Sequence, residues 1–255
     1  MKWLRVFRGY AFFLVLLVAW QVFGDPDSAL LPSPSTWCAA FVQIAQSGEL
    51  WTATASTLTV FFEAVVVGSL LGIVIGITIG SSPLLNRIVD PLFEFFRTIP
   101  PVVLIPSAVI LFGIERDMQV GMVVFAAIWP ILLGTAAARR ALPEQRLDVA
   151  RTMQFSWHKR MLKIVVPSLL PEITVGIRVS APISLIIVMI TEYMVGSGGL
   201  GHLLFHSQQT FNAANAWALT AFIGVLGILM TRIIDASEWL LLRRSPFRGT
   251  GLNRG

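Results

Sequence analysis

The sequence predicts an all-α polytopic membrane protein with six transmembrane helices, and three observations carry that reading. Of 255 residues, 55% are apolar and 13% charged, at a mean hydropathy of +0.76, whereas a soluble domain carries charge on about a quarter of its residues. The apolar residues fall into long runs, and a spanning helix takes about 20 of them. The 19 Lys and Arg residues lie between those runs. That is the pattern of membrane orientation rather than the stripe of a nucleic-acid-binding fold, so no nucleic acid is expected as a partner.

The first run, about residues 10–23, follows Lys2, Arg5 and Arg8. Trp20, Gln21 and Phe23 are poor chemistry for signal cleavage, so the helix is expected to stay as an anchor. Residues 24–50 hold Pro26, Pro32 and Pro34 with Asp25, Asp27 and Glu49 and no Lys or Arg, which fits an external loop. The second span, about 52–80, places Gly68, Gly72, Gly76 and Gly80 on one helix face, where a neighbouring helix can approach closely.

The third span, about 88–112, is interrupted by Pro100, Pro101 and Pro106, whose missing donors and ring clashes should kink or break it. The fourth, about 118–138, ends at Arg139 and Arg140; the fifth, about 169–195, follows Pro167 and Pro171; the sixth covers about 213–234. The expected organisation is therefore an N-terminal helix with its external loop (1–50), a transmembrane domain (51–240) and a basic tail (241–255).

Both termini inside is the orientation that the charges favour. Under it Lys2, Arg5, Arg8, Arg87, Arg139, Arg140, Arg146, Arg151, Lys159, Arg160, Lys163, Arg243, Arg244, Arg248 and Arg254 are cytoplasmic, and only Arg116 is external. Arg97, Arg178 and Arg232 lie within spans but towards cytoplasmic ends, where long side chains can snorkel. The single cysteine, Cys38, excludes an intrachain disulfide or a multi-cysteine metal site. His202 and His206, four apart without a third ligand nearby, fit a short external helix better than a metal site, and no metal is expected.

The longest cytoplasmic loop, about 142–172, reads as two short amphipathic helices joined near residues 154–157. Pro143 suits a first helical turn, and Leu147, Ala150, Met153, Met161, Leu162 and Val165 recur at helical spacing among charges. From composition alone two roles stand: a basic segment lying on anionic headgroups, or a docking element for a partner.

The loop resembles the coupling motif of ABC importer permeases, which reads Glu-Ala-Ala, three residues, Gly, nine residues, Ile, one residue, Leu-Pro. Here Asp148, Val149 and Ala150 stand at the triplet, Gln154 at the glycine, then Ile164, Val166 and Pro167, with every gap of the same length. FRTIPPVVLIPSAVILFG in the third span and EYMVGSGGLG after the fifth are similar to permeases for nitrate, taurine and aliphatic sulfonates. The resemblance implies a type I importer permease in a bacterial inner membrane, working as a dimer, most simply a homodimer. Its implied partners are two ATPase subunits, an external solute-binding protein and membrane lipid. The chain has no G-x-x-x-x-G-K-[ST] loop. The resemblance accordingly puts ATP and Mg on the ATPase, with no cofactor and no catalytic residue in this chain.

For ATPase docking the resemblance points to Asp148, Ala150, Arg151, Gln154, Phe155, Ser156, Trp157 and His158, centred on a turn that Gln154 enters less easily than glycine does. Phe155 and Trp157 are either interface anchors or an aromatic pair at the headgroups. Pathway candidates are polar or helix-breaking residues within spans: Glu63, Thr98, Pro100, Pro101, Pro106 and Glu192. Glu94 and Arg97 stand three apart and can pair with each other. Glu63 has no basic neighbour in sequence, and Glu192 is either a gate or a rim residue in water. The rival class is a non-ABC channel or ion-coupled transporter whose basic loop binds lipid. A membrane enzyme finds no support in any His-Glu-x-x-His run, serine elbow or acidic pair.

Overall fold

The computed structural model describes residues 2–26, 28, 30–196 and 198–243. The end of the basic tail, residues 244–255, and Asp27 and Ser197 lie outside them. Eleven α-helices follow one another among these residues: α1 Lys2–Phe23, α2 Pro34–Gln46, α3 Glu49–Gly80, α4 Pro83–Thr98, α5 Pro101–Phe112, α6 Arg116–Arg140, α7 Glu144–Thr152, α8 Trp157–Arg160, α9 Val166–Val195, α10 Leu200–Gln209 and α11 Ala213–Arg243. A π-helical turn, Met161–Val165, joins α8 to α9.

Four helical segments are long and apolar enough to cross a membrane: Glu49–Gly80, Arg116–Arg140, Trp157–Val195 and Ala213–Trp239. The pair α4 and α5, bent by 90°, makes a fifth. The helix expected first, α1, has 22 residues, with a shorter described apolar stretch at Leu14–Phe23. The proline-rich third span therefore breaks into two helices, as its sequence predicts. Pro100 sits at the N-cap of α5 and Pro101 at its first turn; with no N–H, Pro101 cannot donate to the Arg97 carbonyl and continue α4. Pro106, by contrast, is carried inside α5.

The chain forms two compact units. One comprises Met1–Thr57 and Glu192–Leu226, the other Leu58–Thr191 and Gly227–Gly255. In the first, the expected external loop contains a helix that its prolines concealed. Pro34 is placed at the first turn of α2, where its missing N–H is harmless, rather than breaking a helix. Trp20, Trp37 and Trp217 meet there with ring centroids 4.8–5.3 Å apart. The Gln21 side chain accepts from Ser35 N–H at 2.8 Å and donates to its hydroxyl at 3.1 Å, tying the end of α1 to α2.

In the second unit the glycine face predicted on α3 lies against α6. A Cβ on Gly76 would stand 2.7 Å from the Leu132 carbonyl oxygen, and one on Gly80 2.6 Å from that of Ala136. Gly176 of α9 touches the same rod from another side, 2.8 Å from the Ile131 Cα by the same construction. Backbones thus meet where lipid supplies no hydrophobic force to draw helices together, and dispersion over the close contact does the holding. Arg178 forms ion pairs with Asp235, at 2.8 Å, and with Glu238, both near the end of α11 that leads into the basic tail.

Replacing Gly76 by Leu should lower stability by about 1–3 kcal/mol through overpacking against backbone that cannot yield. Gly121→Ala, at a position where a Cβ meets nothing within 4 Å, should leave it unchanged or slightly raised. Thermal unfolding of the two variants in detergent checks both outcomes.

Candidate functional site: a corner at the foot of the membrane helices

The corner begins where α6 ends. Leu142 is buried with Val165, Leu169 and Ile173, and Ile73, Ile77, Ala138, Leu147, Met161 and Ile177 pack around them. This cluster fixes α7 and the start of the next span to α3 and α6. Pro143 stands at the N-cap of α7 instead of within its first turn. Ala150 is fully buried.

The end of α7 is a Schellman closure. The Phe155 N–H donates to the Ala150 carbonyl at 3.0 Å and the Gln154 N–H to that of Arg151 at 2.9 Å. Such a closure puts the residue after the C-cap in the left-handed region, and Gln154 has φ +52°. Gln154 thus adopts the conformation that glycine favours, with two hydrogen bonds holding it there.

The second predicted short helix is not separate. After Ser156 the chain runs as one helical segment, Trp157–Val195, of 39 residues. The Val166 N–H reaches back to the Met161 carbonyl, and the wider π turn directly precedes Pro167, whose ring would clash in a tight one. Met161 and Val165 face the core, whereas Leu162 is 70% exposed and Met153, beyond the end of α7, is 60% exposed. The apolar set predicted for one face is therefore split between two.

Val149, Met153, Trp157 and Leu162 consequently form an exposed apolar surface around the corner. The Trp157 ring meets His158 edge-on at 5.0 Å. Phe155 is half-buried, with Lys163 Nζ 6.0 Å from its ring centre. Asp148 and Arg151 pair at 2.9 Å on the exposed side, and Ser156 is exposed as well. All eight residues expected at the docking site thus belong to one corner, although Ala150 serves its interior.

The pathway candidates are not gathered in one place. Glu63 pairs with Arg116, the cation at the start of α6. Arg97 bonds Glu94 at 3.3 Å, and the Thr98 hydroxyl turns back to the Glu94 carbonyl at 2.7 Å. Glu192 is 1% exposed, which removes the reading of a rim residue in water. Its Oε2 accepts from Thr57 Oγ1 at 2.9 Å and from the Gly201 N–H at 3.0 Å, while Thr57 Oγ1 accepts from the Leu200 N–H at 2.9 Å.

Carboxylate and hydroxyl therefore cap the start of α10, where N–H groups lack partners and the helix dipole favours negative charge. Gly199, at φ +89°, lies so close to the Glu192 carboxyl that any Cβ would collide with it. This gives Gly199 of EYMVGSGGLG a physical reason. Thr57, 135 residues from Glu192 in sequence, carries no local signal and was missed. His202 is partly buried and His206 exposed on the same α10, and no cluster of three metal-ligating side chains occurs among the described residues.

Gln154→Gly should preserve the corner and raise stability by up to about 1 kcal/mol, since glycine enters the left-handed region without the side-chain penalty. Gln154→Ile should lower it by a similar amount or more, and melting temperatures of both variants decide. Thr57→Val strands the Leu200 N–H, at a cost of about 1–3 kcal/mol. Faster amide exchange confined to the first turn of α10 is the expected reading.

Residues 68–244 match the family described as binding-protein-dependent transport system inner membrane component. Among curated proteins, a putative aliphatic sulfonates transport permease of Bacillus subtilis is 27% identical, over 92% of this chain and 87% of that one. A bicarbonate transport system permease of Synechococcus elongatus is 28% identical, over 89% and 87%. A nitrate import permease of Synechocystis is 26% identical, over 93% and 90%. Among solved structures, an inward-facing methionine ABC transporter chain aligns at a TM-score of 0.57 with 19% identity, covering 76% of this chain and 94% of the other. With more than half of its length matched, the chain belongs to the binding-protein-dependent transport system inner membrane component family: it is a multi-pass importer permease of the inner membrane.

Proposed function

We propose that two copies of this chain form the membrane pathway of an ATP-driven importer, with an ATPase subunit beneath each and an external binding protein delivering a small oxyanion. The observation that carries the reading is the corner at Gln154. It is held from within by Ala150, Leu147 and Val165, yet leaves Val149, Met153, Trp157 and Leu162 uncovered around the exposed Asp148–Arg151 pair.

A lipid-binding loop would direct its apolar residues and its basic residues at the same membrane surface. This corner instead spends its inward apolar face on the helices of its own chain and offers a second, outer one. Apolar anchors rimmed by charge are the anatomy of a protein interface. Family membership favours the importer over a channel or ion-coupled transporter. The oxyanion assignment draws on the relatives, whose names specify sulfonates, bicarbonate and nitrate. Both termini on the cytoplasmic side follow from the Lys and Arg distribution.

In this arrangement ATP and Mg belong to the ATPase. Its closure would displace the corner, and the segment Trp157–Val195, continuous through the π turn, would carry that displacement into the membrane domain.

Trp157→Ala should weaken ATPase retention by about 2 kcal/mol or more, near thirtyfold in dissociation constant, and Asp148→Lys should do so by charge reversal. Co-purification with the ATPase and solute uptake into vesicles are the measurements. If both variants keep ATPase and uptake intact, the docking assignment is wrong.

A further inference from the structure

α4 carries a second surface that docking leaves unused. At about 100° per residue, its side chains sort into three stripes. Leu85, Val89 and Phe93 are partly buried, with Phe93 against Trp129 of α6 at 5.6 Å between ring centres. Leu84, Ile88, Leu92 and Phe95 form an exposed apolar stripe, 53–69% accessible. Arg87, Asp90, Glu94, Arg97 and Thr98 form an exposed polar stripe over about 100° of arc on the remaining side.

The polar stripe climbs into the membrane layer. Asn86 accepts a hydrogen bond from Arg140 at the basic end of α6, and seven residues later Phe93 has reached Trp129. Arg97 lies one further turn along, beside the α4–α5 break and near the middle of the length of α6, deeper than the cytoplasmic end expected for it from the sequence. There a charge facing hydrocarbon costs at least about 2.5 kcal/mol, yet the side chains of Arg97 and Glu94 are 48% and 73% exposed. Arg87 and Asp90 form no ion pair among the described residues.

Direct packing of this stripe on the same stripe of a second copy is disfavoured. The order of charges along α4 is plus, minus, minus, plus, so two-fold pairing in parallel, or antiparallel about the middle of the stripe, sets like charge against like. Water would satisfy all four charges.

We infer that the polar stripe of α4, from Arg87 to Thr98, is a wetted wall of the cytoplasm-facing half of the translocation pathway, with the Glu94–Arg97 pair at its inner end. The assignment rests on the importer reading. Its opposite charges balance, so the wall presents no single-sign barrier and a charged solute passes it in its hydration water. The apolar stripe faces lipid, and the Phe93 stripe seats the helix on α6.

Cysteine accessibility in the assembled full-length transporter tests this. The parent is Cys38→Ser, which removes the one native thiol, itself exposed. Asp90→Cys, Glu94→Cys and Thr98→Cys probe the polar stripe; Ile88→Cys and Leu92→Cys probe the apolar one. A charged, membrane-impermeant methanethiosulfonate added to the cytoplasmic face of inside-out vesicles should modify the first set about tenfold faster or more, because a lipid-facing thiol stays protonated. Trapping with ATP and vanadate should then slow modification at residues 94 and 98 severalfold, as the inner half closes.

Equal rates on the two stripes overturn the inference, and so does a polar-stripe rate indifferent to trapping, which is the behaviour of headgroup water. If the parent imports solute and retains its ATPase while either result is found, the importer reading survives and only the wall is lost. If no ATPase is retained while the polar stripe still reacts fast, the importer reading is what fails.

Discussion

Backbone contact along α6 is the constraint on which the second unit depends. Gly72, Gly76 and Gly80 let α3 press against it, and Gly176 lets α9 do the same near Ile131. In water such contacts would add to a hydrophobic force that already gathers helices; in lipid that force is missing and close approach must supply the cohesion. Because α6 is fixed by two neighbours, its last turn gives a defined origin for Leu142 and the corner that follows. The corner is placed by the membrane helices rather than by its own few residues.

What the sequence made legible follows from where each cause lies. The glycine face, the break at Pro100–Pro101 and the hinge near Gln154 are produced by neighbouring residues, so spacing alone reveals them. The partners of Glu63, Arg178 and Glu192 come from distant segments, and nothing near those acids or that arginine names Arg116, Asp235 or Thr57. Met153 and Leu162 leave the inward set for local reasons: Met153 is the C-cap beyond the last turn of α7, and Leu162 stands one residue, about 100°, round from the inward Met161. Pro34 misled in the opposite sense, since a proline that ends one helix also starts another.

Glu192 shows how a polar residue in an apolar segment can be structural. Its Oε2, Thr57 and the first N–H groups of α10 bond one another, while its Oε1 is buried without a hydrogen-bond partner, and Gly199 supplies the space that the carboxyl occupies. A buried acid of this kind has its oxygen engaged with its own backbone before any solute is considered. The exposed charges of α4 are the contrasting case: Glu94 and Arg97 answer one another, but Arg87 and Asp90 require a wet surrounding.

The Schellman closure at Gln154 has a thermodynamic consequence for association. Two backbone hydrogen bonds and the packing of Ala150, all within this chain, hold the turn. Under the proposed docking, a surface held in this way would meet its partner nearly as a rigid body and surrender little conformational entropy on contact. The corner would then pass a displacement on as a unit instead of melting and refolding in each cycle.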